Sequence, residues 1–360
     1  MGLAAQIRAA EQARQFASLS STQGAHATAG AQPAAATTST AASASNSGSY
    51  QTAPTSAPPV SFCGTPTPAT AGVAAPGNSL KWLSAINAKF TQICRDNNLG
   101  KYYTPADVAR IAHETAARID IEELAKRWGM GVELAIDLTP LALYDTKVLV
   151  DDSGSMDDRT RWEDAQAILK KIADVCGKLD SDGFDVCFMN SSKKADNIKS
   201  DAQIATLMTS QVKPSGGTPM GSQLLDKLVQ PYLDSLHSML PGKKPKKPLL
   251  VITITDGAPN SEPDVYNAIA RASEKLVKYG YPEKGIAFQF AQIDNDPSAS
   301  DFLNRLDNDP KIGNKVDCTS DYEVEALQIW NKQKVRLTPG PYLVKLCVGA
   351  IDRTYDEQDE

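Results

Sequence analysis

The stretch that most constrains this chain is TKVLVDDSGSM, residues 146–156. Its apolar half, residues 147–150, is a short β-branched and aliphatic run that breaks off into carboxylates, hydroxyls and a glycine. A run of that length bounded by turn formers reads as a buried strand and not as a helix. The polar cluster then stands at the strand's carboxyl end, which is where ligands bind in open α/β sheets. Asp151, Ser153 and Ser155 alternate, so an extended loop can turn all three toward one point. One carboxylate and two hydroxyls are hard oxygen donors, suited to Mg²⁺ or Mn²⁺ and poorly suited to Zn²⁺. Asp, Ser and Gly also build ordinary turns, so the triplet alone leaves both readings open.

Two later stretches bear on the choice. PSGGTPMG, residues 214–221, is a glycine loop that carries Thr218 into a helical run. LLVITITD, residues 249–256, is a second buried strand ending in Asp256, with Gly257 after it. An Asp-x-Ser-x-Ser strand end, a Gly-Gly-Thr loop and a later strand-end Asp-Gly, in that order, resemble a von Willebrand factor A domain with its metal-ion-dependent adhesion site. Asp151, Ser153, Ser155, Thr218 and Asp256 match all five positions of that motif. The resemblance implies that the two serines ligate a metal directly and that the threonine joins them when ligand is bound. It implies that the aspartates act mostly through water, and that one coordination place stays open for a partner's carboxylate. The stretch QIDNDPSASDFLNRLD also resembles the intracellular branch of these domains.

The chain has 360 residues and a formal charge of −6, so nothing suggests a chain-wide nucleic-acid footprint. Residues 17–79 hold no Asp, Glu, Lys or Arg and consist mainly of Ala, Ser, Thr, Pro and Gly. Such a segment cannot bury enough apolar surface to offset its ordering entropy, so residues 1–79 read as a disordered tail with a short helix at its start. Six cysteines are scattered without a C-x-x-C pair, which favours reduced structural thiols. No signal peptide is visible, and no run approaches the ~18 apolar residues of a transmembrane helix. Together these features indicate a cytoplasmic protein.

Order is expected from Asn78. Ser79 is a candidate cap for a helix in which Leu80, Leu83, Ile86, Phe90 and Ile93 share a face. Thr104-Pro105 opens a second helix, and a third runs over residues 121–128 until Gly129, so residues 80–135 form a helical module. His113 is expected on or beside its apolar face as a structural histidine. Strands and helices then alternate over residues 143–335, including a reversed edge strand near Ile198, which predicts a Rossmann-like, doubly wound and mainly parallel sheet. GKKPKKP, residues 242–248, reads as a solvated loop, and the Asp-Asn-Asp triplets at 294–296 and 307–309 as turn formers and helix caps. Residues 336–360 read as a β-prone hairpin or edge strand followed by an acidic tail.

The function these features imply is a metal-dependent binding module that captures an Asp or Glu of a protein partner, not an enzyme. A metal-dependent hydrolase of the aspartyl-nucleophile type is the rival, but it wants a second acid where Ser153 stands. A serine hydrolase wants a Gly-x-Ser-x-Gly elbow with a partner histidine, and only three histidines exist. A structural A domain with an empty site is the third alternative.

Overall fold

The computed structural model describes residues 80–158, 160–210, 212–238, 247–334 and 336–356. The tail over 1–79, with its short helix and the Ser79 cap, lies outside these residues, as do the lysines of the 242–248 loop before Lys247 and residues 357–360.

Four helices precede the sheet: α1 (Leu83–Asp96), α2 (Pro105–Arg118), α3 (Ile121–Trp128) and α4 (Val132–Asp137). Thr104 caps α2 in a reciprocal box with Asp107, and Pro105 sits at the first helical position, where its missing N–H costs nothing. Gly129 ends α3 in the left-handed conformation at φ 59°. Ile86, Phe90 and Ile93 are buried as the spacing predicts, but Leu80 lies before the helix and is exposed. His113 is exposed as well, so it is not the packed structural histidine expected of it. Helix α4 begins inside the expected helical module and runs past its end at residue 135; its 6 residues are too few to show a period.

The sheet has six strands in the order β3-β2-β1-β4-β5-β6. They are β1 (Asp145–Val150), β2 (Phe184–Phe188), β3 (Lys194–Ile198), β4 (Leu249–Thr255), β5 (Ile286–Gln292) and β6 (Val316–Thr319). All neighbours pair in parallel except β2 and β3, whose antiparallel pairing makes β3 the reversed edge strand. Crossovers run through α5 (Arg161–Leu179), α6 (Asp201–Ser210), α7 (Met220–Gln223), α8 (Gln230–His237), α9 (Glu262–Lys278) and α10 (Pro297–Asp307), and α11 (Tyr322–Gln333) follows β6. A π-helical segment, Leu224–Val229, joins α7 to α8.

Alternate strand residues feed two apolar layers. Val148, Val150, Leu250, Ile252 and Ile254 face a cluster built with α1 to α6. Leu149, Leu249, Val251, Phe288 and Phe290 face a second one built with α7 to α10. Both faces being covered explains why β4 and β5 are buried along their whole length. This is the doubly wound, mainly parallel α/β architecture expected from the sequence.

The C-terminal segment corrects an expectation. In place of a hairpin or edge strand, residues Pro339–Val348 form α12, followed by the short helix α13 (Arg353–Asp356). Every residue from Gly340 to Val348 is buried. A short run that is apolar on all sides gives no period by which a strand could be told from a buried helix. The decisive cues are Thr338 as the flanking extended residue and proline at the first position. Lys345, the one charge in α12, reaches Glu325 of α11 at 3.1 Å, and both are almost fully buried. None of the helices among the described residues is long and apolar enough to cross a membrane.

Candidate metal site at the carboxyl edge of the sheet

Parallel strands present their carboxyl ends on one rim, and that is what gathers residues far apart in sequence. The residue after β1 is Asp151 and the residue after β4 is Asp256. The Asp151 amide donates to the Ile254 carbonyl at 2.8 Å, which locks the two strand ends in register. Asp151 is fully buried. Its Oδ1 accepts from the Ser153 amide at 2.9 Å and its Oδ2 from Thr255 Oγ1 at 2.7 Å. Burial pushes the Asp151 carboxyl above its usual range, and the Thr255 and Ser153 hydrogen bonds work against that rise.

The two serines and Asp256 form a chain of oxygens. Ser153 Oγ and Ser155 Oγ are 3.1 Å apart, and Ser155 Oγ donates to Asp256 Oδ1 at 3.1 Å. Ser153 and Asp256 are buried, whereas Ser155 is exposed and stands between them and solvent. The other Asp256 oxygen, Oδ2, accepts from Arg161 Nη1 at 2.8 Å.

Thr218 is brought to the same rim by its loop. The Gly154 amide donates to the Gly216 carbonyl at 3.0 Å, and the Ser215 amide to the Asp152 carbonyl at 2.7 Å, so the glycine loop is tied directly to the Asp-x-Ser loop. The Thr218 amide donates to Asn260 Oδ1 at 3.0 Å, and the Asn260 amide donates back to the Thr218 carbonyl at 2.9 Å. A Cβ on Gly216 would meet Asn190 Oδ1 at 2.7 Å, and one on Gly217 would meet Asn260 Nδ2 at 2.7 Å, so either would push aside an asparagine that braces the loop. Gly216 also has φ +91°, a conformation that only glycine adopts freely. Backbone bonds thus join the Asp-x-Ser loop to the Thr218 loop and to the end of β4, while no hydrogen bond from the Thr218 hydroxyl ties it to the serine chain.

Several bracing residues were not picked out by the sequence reading. Asp152, next to Asp151, spends both carboxylate oxygens on the loop after β2: Oδ1 accepts from the Asn190 amide at 2.6 Å and Oδ2 from the Ser191 amide at 2.8 Å. Asn190 Nδ2 in turn donates to the Gly217 carbonyl at 2.8 Å. Lys227, from the π-helical segment, donates to the carbonyls of Phe188, Met189 and Ser191 at 2.5 to 3.2 Å and caps the end of β2. The available signal was that Asn190 and Asn260, like Asp151 and Asp256, stand in the loops just beyond strands. The triplets read as turn formers behave as such: Asp296 caps α10 by accepting from the Ser298 and Ala299 amides, and Asp309 accepts from those of Lys311 and Ile312.

The donor set fits a hard divalent cation. It offers hydroxyl and carboxylate oxygens and no imidazole or thiolate, which is the class that Mg²⁺ and Mn²⁺ prefer. Among the described residues no group of three or more His, Cys, Asp and Glu side chains could hold a metal. Any ion at this rim therefore depends on Ser153, Ser155 and Thr218 and would keep much of its positive charge.

Comparison with solved structures finds similarity to the manganese-loaded TRAP protein of Plasmodium vivax, 18% identical, over 52% of this chain and 72% of that one, at a TM-score of 0.35. It also finds proximal thread matrix protein 1 from the mussel byssus, 19% identical, over 57% of this chain and 47% of that one, at a TM-score of 0.33. No family model matches the chain, and no curated protein does. Likenesses this distant say nothing about the rim, whose case rests on its own geometry.

Proposed function

We propose that this chain is a binding module that captures an acidic side chain of a protein partner through Mg²⁺ or Mn²⁺ held at the rim. Ser153, Ser155 and Thr218 would hold the ion, and Asp151 and Asp256 would support it through water. The observation that carries this reading is the oxygen chain from Ser153 through Ser155 to Asp256, buried at both ends and open to solvent at Ser155 in its middle. The bound ion supplies an electrophilic point that an incoming carboxylate completes; the chain's own residues orient it and keep its charge high.

Catalysis is disfavoured by Asp151 itself. A nucleophilic aspartate needs a free oxygen, and Asp151 is fully buried with both oxygens accepting hydrogen bonds. The thiols are read as reduced: Cys176 and Cys347 lie wholly inside the apolar core, where cysteine behaves as a small hydrophobe. Thiol titration of the denatured, non-reduced protein checks this: paired cysteines would contradict it.

Calorimetric titration of the full chain with Mn²⁺ and Mg²⁺ tests the proposal. Wild type is expected to bind one ion, and Ser155→Ala and Asp151→Asn to bind at least tenfold more weakly while their circular dichroism stays native. Absence of any divalent binding to folded wild type would leave only the structural-scaffold reading. Metal-dependent turnover of a phosphomonoester, lost in Asp151→Asn, would restore the enzyme reading.

A further inference from the structure

Beside the proposed ion sits a second cation that the motif does not include. Arg161 begins α5, and its guanidinium is held across two strand ends. Nη1 donates to Asp256 Oδ2 at 2.8 Å and to the Ser155 carbonyl at 3.2 Å. Nε donates to Asp294 Oδ2 at 2.9 Å, where Asp294 follows β5 and has the left-handed φ of 62°. A left-handed backbone at a non-glycine residue is sparsely populated and persists where surrounding contacts hold it. Here the Asp294 side chain is held from two sides, since its Oδ1 also accepts from the Asn295 amide at 2.8 Å. Arg161 is therefore fixed rather than waving in solvent, and it contacts both sides of the oxygen chain: the Ser155 backbone and the Asp256 carboxylate.

A guanidinium has five N–H donors in a rigid fork suited to carboxylates. The bonds above use Nε and Nη1 and leave Nη2 for another acceptor. We infer that Arg161 is the second anchor of an acid-reading site, so that the ligand is an acidic peptide whose carboxylate is shared between the divalent ion and the guanidinium. The inference rests on the proposed metal site and narrows its acidic partner to one whose carboxylate reaches two cations at once.

The arrangement makes two effects of opposite sign. Arg161 competes with a divalent ion for the charge of Asp256, so its removal strengthens metal binding. It also supplies a charge-assisted hydrogen bond to the ligand, so its removal weakens carboxylate binding. A residue that merely supports the fold would, on removal, weaken both.

The test uses the full chain and Mn²⁺, with N-acetyl-glutamic acid α-amide as the probe and N-acetyl-glutamine α-amide as the uncharged control. Mn²⁺ affinity is read by calorimetry, and probe binding by paramagnetic broadening of the probe's side-chain protons. In wild type the acid is expected to broaden and the amide not. Arg161→Ala should bind Mn²⁺ as tightly as wild type or tighter, and bind the acid about tenfold or more weakly. Arg161→Lys keeps the charge but loses the fork, and should recover only part of that loss; it also serves if the alanine variant does not fold. Equal acid binding in wild type and both variants, with Mn²⁺ bound, overturns the role of Arg161 alone. A parallel loss of Mn²⁺ and acid binding does so too, by showing a structural role. No Mn²⁺ binding to wild type overturns the metal site itself.

Discussion

At the scale of single residues, the rim shows polar side chains with different tasks placed side by side in sequence. Asp151 faces the oxygen chain's base, while Asp152 turns to the loop after β2 and accepts two amides there. The difference follows from strand alternation, which sends neighbouring side chains to opposite sides. Asn260 illustrates how much a bracing residue should matter. It accepts the Thr218 amide, and its own amide returns a bond to the Thr218 carbonyl. Asn260→Ala removes that acceptor at an exposed position, where water can take its place, at a cost of about 0.5–1.5 kcal/mol. We expect its melting temperature to fall by a few degrees, and its Mn²⁺ affinity to fall although no proposed ligand has changed. Thermal melts and calorimetry measure the two; an unchanged Mn²⁺ affinity would show that the Thr218 loop needs no such brace.

At the scale of elements, what could be read from the sequence was whatever has a local cause. The bounds of α3 and of β4 follow from a cap, a glycine stop and an apolar run, and the structure places them at Ile121–Trp128 and Leu249–Thr255. The gathering of Asp151, Ser153, Ser155 and Asp256 was legible because parallel strands share a carboxyl edge. What escaped has non-local causes. Arg161 matters only because α5 begins opposite the ends of β4 and β5, and Lys227 only because a π-helical segment aims it at β2. Helix α12 escaped because burial on all sides erases its period. Its Lys345 makes a sharp prediction. Lys345→Met removes the cation from a nearly fully buried pair and strands Glu325, which should cost about 3–5 kcal/mol. Adding Glu325→Leu removes the stranded charge, so the double variant should regain much of that loss in denaturant unfolding. If the double variant is no more stable than the single one, the pair's charge is not what α12 depends on.

At the scale of the whole molecule, the amino edge of the sheet, opposite the rim, holds a group that ties stability to pH. Asp180 follows α5, is buried, and accepts from Lys247 Nζ at 2.5 Å just before β4 begins. Burial raises its pKa most, and the neighbouring Asp182 carboxylate, with which it shares a hydrogen bond, raises it further; Lys247 opposes both. The outcome is about 7. The unfolded chain holds the same carboxyl near the ordinary value of about 3.9. Between those two values the folded protein keeps a proton that the unfolded chain has lost. Protonation therefore favours folding: this contribution is fully present below about pH 4 and is lost as pH rises through about 7. The span corresponds to a few kcal/mol, since each pH unit across it is worth about 1.4 kcal/mol per proton. Asp180→Asn keeps the shape without the charge, so its melting temperature should vary less between pH 4 and 7 and exceed that of wild type at pH 8. Matching pH profiles in the two proteins would mean that Lys247 holds Asp180 ionised throughout. The dependence belongs to the end of the sheet away from the proposed ion, so Mn²⁺ affinity at the rim should be the same in Asp180→Asn and wild type at pH 8.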